Sequence, residues 1–108
     1  MTEGFYETFE RAKWHFDLRD PISAAKILEP LRDEQPESRS LLELLGRAYF
    51  HSAQLRKAEE TFRKLIDLDP CDAWAHIALA RSLERQDRDD EAGRYRRLHA
   101  AMAGGSRD

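Results

Sequence analysis

Five side chains in this 108-residue sequence belong to the types that most readily bind metals or act as nucleophiles: His15, His51, His76, His99 and Cys71. Their spacing argues against such chemistry. The histidines fall at unlike offsets, with no pair at i, i+4 around a glutamate, so the chain sets out no ligand set for a transition metal. A glycine-rich phosphate loop and a Gly-x-Ser-x-Gly nucleophile turn are absent too. The expectation is therefore no catalytic residue, no metal and no cofactor, with Cys71 filling a turn. What does recur is positive charge: Lys13, Arg47 and Arg81 stand 34 residues apart. Ammonium and guanidinium groups at fixed spacing can hold anions through charge-assisted hydrogen bonds.

The elements that position these cations read as helices. Phe5, Phe9, Ala12 and Phe16 trace an i, i+4, i+7, i+11 stripe, which predicts a helix from about Gly4 to Leu18. Leu42, Leu45 and Tyr49 share one helical face, while Ala58, Phe62 and Leu65 share the face of a following helix, so the two can bury each other. Trp74, Ile77, Leu79, Ala80 and Leu83 mark another. A period of 34 runs through all of them: Ala12, Gly46 and Ala80 fall in register, as do Ala24, Ala58 and Ala92, while Pro36 and Pro70 end second helices with Gly104 in third place. Asp20 before Pro21 is a helix start, Asp72 another, and Asp89, Asp90 and Glu91 suit the positive end of a last helix. Asp20, Gln54 and Asp87 are expected at equivalent tight turns, none of them glycine. Pro30 is expected to kink or shorten its helix.

The middle stretch holds Leu42, Leu45, Gly46 and Tyr49, then Ala58, Phe62 and Pro70. This is the W-x2-L-G-x2-Y, A-x3-F, P pattern with leucine in place of the tryptophan. The chain thus resembles a tetratricopeptide-repeat protein. Three repeats, at about 5–38, 39–72 and 73–106, cover nearly all of it as one domain over 1–108, with 104–108 as a frayed tail. Arg11 and His15 depart from the pattern, standing where leucine and tyrosine are usual. The resemblance implies an all-α fold of three stacked helix-turn-helix units, six helices in a short right-handed solenoid whose first helices line a concave groove. Arg96 and His99, at the offsets of Phe62 and Leu65, are expected to meet water on a capping last helix.

Carried over residue by residue, the groove of such a protein would be lined by Tyr6, Phe9, Lys13, Phe16 and Asp17 from the first repeat. Ser40, Glu43, Arg47, Phe50 and His51 would follow from the second, and Trp74, Ile77, Arg81, Glu84 and Arg85 from the third. That surface suits a protein or peptide with an acidic residue or C-terminal carboxylate flanked by hydrophobic side chains. Two other fates compete. The cations can pair with Glu43 and Glu84, and Phe9, Phe16 and Phe50 can enter the interhelical core, as large aromatics usually do. Trp74 is either an anchor for the partner or packing beneath Pro70. The carboxylate clamp of chaperone-binding relatives is not expected, because Phe9, Leu44, Trp74 and Ala78 stand where it needs polar or basic groups.

Composition narrows the function classes. Charged residues at 36 % beside 41 % hydrophobic ones fit a helical protein rich in surface rather than a disordered chain. A net charge of -3 gives no long-range attraction to nucleic acid or to anionic membranes, and acids at Asp89, Asp90 and Glu91 offset the run Arg94, Arg96, Arg97. The N-terminus lacks the apolar run of a signal peptide, no segment approaches the roughly 20 apolar residues that span a bilayer, and a single cysteine allows no internal disulfide. A cytoplasmic adaptor or scaffold follows as the expectation. The alternative is a homo-oligomeric scaffold, such as a homodimer, joined through Tyr95, Leu98 and Met102 of the last helix or Phe5 and Trp14 of the first. An enzyme or metal protein ranks below both.

Overall fold

The structure, a computed structural model, describes residues 3–104. It consists of six helices: α1 (Phe5–Asp17), α2 (Pro21–Glu34), α3 (Arg39–His51), α4 (Leu55–Leu68), α5 (Ala73–Glu84) and α6 (Asp89–Gly104). No strand occurs among the described residues. Each helix packs on its chain neighbours, with a lesser contact of α1 on α3, so three hairpins stack into a body of 53 × 30 × 23 Å. The all-α, three-hairpin expectation therefore holds. Gly104 continues α6 where a frayed tail was expected, and 105–108 lie outside the described residues.

The caps act where the sequence puts them. Asp20 accepts the Ser23 amide at 3.1 Å with Pro21 opening α2, and Asp72 accepts the Ala75 amide at 3.1 Å. Ser38 does the same for α3 through the Leu41 amide. Pro30 neither stops nor shortens its helix, since α2 and α4 both run 14 residues. The proline and Lys26, whose carbonyl loses its donor, are both exposed, so water can serve that carbonyl.

Three turns show how faithfully the backbone repeats. Arg19, Ala53 and Asp87 carry φ of 64°, 62° and 60°, and they are the non-glycine residues with positive φ among those described. After each, an amide reaches back across the helix end: Asp20 to the His15 carbonyl at 2.9 Å, Gln54 to Tyr49 at 2.8 Å and Arg88 to Leu83 at 3.0 Å. This is the Schellman closure, which normally draws a glycine. The left-handed residue thus lies one position before Asp20 and Gln54. Asp87 belongs with Arg19 and Ala53, which corrects the expected grouping by one residue.

The core sits between the helices of each hairpin and between neighbouring hairpins, with Ala12, Ala24, Ala58, Ala80 and Ala92 fully buried at the close approaches. Gly46 is the tightest of these. A Cβ there would come 2.9 Å from two carbons of the Phe62 ring, whereas the same pairing is Ala12 with Leu28 one repeat earlier and Ala80 with Arg96 one repeat later. In register, glycine thus stands with phenylalanine where alanine stands with leucine one repeat earlier. Arg96 and His99 do not simply face water: Arg96 pairs with Glu84, and His99 Nδ1 lies 3.0 Å from the Ala73 carbonyl, so both tie α6 back to α5.

Candidate functional site

The first helices line a connected groove. Between α3 and α5 it deepens into a cavity of about 210 Å³ walled by Arg47, Phe50, His51, Trp74, Ile77, Ala78 and Arg81, with Phe62 reaching in from α4. Between α1 and α3 a second depression of about 280 Å³ is bordered by Phe9, Lys13, Ser40, Glu43, Leu44 and Arg47. Arg47 borders both. The groove therefore carries its cations in the order Lys13, Arg47, Arg81, one per hairpin.

The electrostatics of this surface are unbalanced. Among the described residues no carboxylate comes within ion-pair distance of Arg47, Arg81 or Arg85; Glu43 leaves Arg47 unpaired, and Glu84 is taken by Arg96. Lys13 alone of the ladder has an acid, Glu10 at 3.6 Å. Rings take the place of carboxylates. The Arg47 guanidinium lies 4.9 Å over Phe16 and that of Arg85 5.1 Å over Phe50, while the His51 ring meets Phe16 and Phe50 edge-on at 5.6 and 5.5 Å. Cations on aromatic faces stay poised toward an incoming anion, because the ring quadrupole holds them without neutralising their charge.

Phe9, Phe16 and Phe50 are half-buried: they pack against the core and still border the groove or the hollow beside it, so the two expected fates coexist. Trp74 stands edge-on against Phe62 at 5.6 Å in the cavity wall. The Pro70 carbonyl is taken by His76 Nε2 at 2.8 Å. Of the remaining expected positions, Tyr6 is 71 % exposed, Asp17 and Arg85 are exposed, none of the three lines either depression, and Glu84 turns toward α6. Sequence reasoning overlooked Phe62 as a lining residue, and it named Leu44 and Ala78 only as positions unfit for a carboxylate clamp, though both line the depressions. The signal for Phe62 was available: a core phenylalanine opposite a glycine, beside a tryptophan at the next helix start, has one ring edge to spare.

Away from the groove, polar groups join the hairpins. Glu59 on α4, 8 % exposed, accepts from Arg88 at 2.7 and 3.2 Å, from Gln86 at 3.1 Å and from Arg63 at 3.0 Å. Burial by itself would raise its carboxyl, but the bonds from Arg88, Gln86 and Arg63 outweigh it and hold the group below the ordinary carboxylate range. At the other joint, burial first and then the Glu29 carboxylate push the Tyr49 hydroxyl up to about 12. No group of histidine, cysteine and acidic residues able to hold a metal occurs among the described residues. Likewise, no helix described is long and apolar enough to cross a membrane.

A family model for the tetratricopeptide repeat matches residues 39–82, the middle repeat and the first helix of the next. The fold is that of a tetratricopeptide-repeat protein. Solved chains confirm the arrangement of helices. A MamA fragment from Desulfovibrio magneticus RS-1 superposes with a TM-score of 0.90 at 23 % identity, over 98 % of this chain and 60 % of its own length. MamA AMB-1 gives 0.90 at 18 %, over 95 % of this chain and 61 % of its own. The chain thus spans about three-fifths of these solved proteins. Curated protein sequences give no match.

Proposed function

We propose that the three repeats, over 1–108, act together as a protein-interaction module that lays an extended segment of a partner along the first-helix groove. The partner segment supplies an acidic side chain or a C-terminal carboxylate beside apolar residues. One observation carries this reading: Arg47 and Arg81 line a ring-walled cavity without carboxylate partners among the described residues, and Arg85, equally unpaired, lies over the Phe50 ring at its edge. A carboxylate gains charge-assisted hydrogen bonds there, and an apolar side chain buried against Trp74, Phe62 and Phe50 adds the larger share of the affinity. No chemical turnover is involved. The absence of long-range attraction to polyanions favours protein over nucleic acid as the partner, and a lone cysteine suits a cytoplasmic setting.

Capture of a partner from source-cell extract, then titration of the purified pair, tests the reading. Arg47→Glu with Arg81→Glu should weaken binding at least tenfold, the equivalent of about 1.4 kcal/mol, while helical circular dichroism stays the same. Undiminished affinity would remove the groove cations from the account.

A second reading, self-association through the terminal helices, has its own support. Trp14 is 59 % exposed on α1, while Ala48 and Ser82 at the same offset on α3 and α5 are fully buried by the preceding hairpin. Sedimentation over a concentration series decides it, and a strictly monomeric chain at high concentration would reject it.

A further inference from the structure

The two joints between hairpins share one register and fill it differently. At the joint of the second and third hairpins, the Tyr95 ring stacks on buried His76 at 6.0 Å and its hydroxyl accepts from Arg63 at 3.1 Å. Thirty-four residues earlier the same positions hold Thr61 and Leu42. There the space is empty. A cleft of about 430 Å³ opens between α2 and α4, floored by Leu42, Tyr49 and Thr61 and rimmed by charged side chains, Glu29 and Lys57 among them.

The chain's own third hairpin therefore displays what the cleft is shaped to receive. One difference sets the polarity of the occupant: the residue in register with Arg63, the donor to Tyr95, is Glu29, an acceptor. Glu29 uses Oε2 for the Tyr49 hydroxyl and for Lys57 at 4.0 Å, and Oε1 has no partner among the described residues. We propose that this cleft, on the second-helix side and separate from the groove, is a binding site for a tyrosine side chain of a partner protein. The ring lies on Leu42 and Thr61, and the phenol donates to Glu29 Oε1. A side chain with an apolar body and a polar tip suits a site with an apolar floor and an acceptor at the rim, and the volume lies within the range of small-ligand pockets.

The test is an amide-resolved NMR titration of the whole chain with N-acetyltyrosinamide, set against its phenylalanine and leucine counterparts. Saturating shifts should centre on Leu42 and Thr61 and leave Trp74 unmoved. The phenylalanine compound should bind about fivefold more weakly for want of one hydrogen bond, and the leucine compound more weakly still. Thr61→Tyr, which supplies the missing ring from within, should abolish the shifts and raise Tm. Glu29→Ala, which fills nothing, should reduce the tyrosine compound to the affinity of the phenylalanine one. The proposal is overturned by an absence of shifts in the unaltered chain, by equal binding of the leucine compound, or by undiminished binding in Glu29→Ala. None of these results bears on the groove cations.

Discussion

In the middle hairpin Gly46 lies under the Phe62 ring with Leu65 buried beside it, whereas the last hairpin holds Ala80, Arg96 and His99 at those positions. One backbone thus carries two kinds of seam. The middle seam is apolar, closed by ring against glycine; the last is partly polar, held by an ion pair to Glu84 and a ring nitrogen on the Ala73 carbonyl. Burial of apolar area stabilises the first kind of seam, while in the second the polar side chains stay favourable because each finds a partner on α5.

The largest effect should come from closing the middle seam too far. Gly46→Ala places a methyl group against Phe62 and should cost about 2 kcal/mol despite the better helix propensity of alanine, seen as a lower denaturation midpoint. Adding Phe62→Leu, which recreates the Ala12–Leu28 pairing of the first hairpin, should recover part of that loss. A double variant as unstable as the sum of the singles would break the proposed complementarity. Next comes the link between the two hairpins: Glu59→Gln leaves Arg63 and Arg88 without their shared anion and should cost about 1.5 kcal/mol at neutral pH.

Acid titration sharpens the same point. The Glu59 carboxyl in the folded chain titrates below its unfolded value, so its stabilisation is complete above the unfolded carboxylate range near ~4.3 and is lost as pH falls through the lower folded value. Glu59→Gln should therefore flatten the acid limb of a stability profile measured by urea unfolding. A smaller gain is expected at the turns, where Ala53→Gly relieves a left-handed alanine and should add about 0.5 kcal/mol, the relief being partly offset by a freer unfolded chain. Smallest of all, Arg96→Ala should cost no more than about 0.5 kcal/mol, since its pair with Glu84 is largely solvated.

The fold was legible because its signals are local and recur. Small residues at Ala12, Gly46 and Ala80, caps at Asp20 and Asp72, and apolar stripes on successive helices each fix one geometric demand, and the same demand returns at the same offset. The groove was legible in part: Lys13, Arg47, Arg81, Phe50 and Trp74 share it, but Tyr6 and Asp17 fall outside its cavities and Glu84 turns away. What escaped depends on distant partners. Glu59 looks like any surface glutamate until Arg88, 29 positions on, is brought beside it. Arg96 and His99 look like solvated residues until α5 supplies a carboxylate and a carbonyl. Asp87 was grouped with Asp20 and Gln54 rather than with Arg19 and Ala53 because neither of the latter advertises a left-handed conformation as glycine would.

Since every hairpin leans on its immediate chain neighbours, thermal or mechanical stress has no central keystone to remove. The first and third hairpins each carry one indole, Trp14 and Trp74, so variants that keep a single tryptophan would report the two hairpins separately. Melting followed at each tryptophan in turn would show the molecule fraying like a ladder undone rung by rung, with the glycine-and-phenylalanine hairpin the last to part.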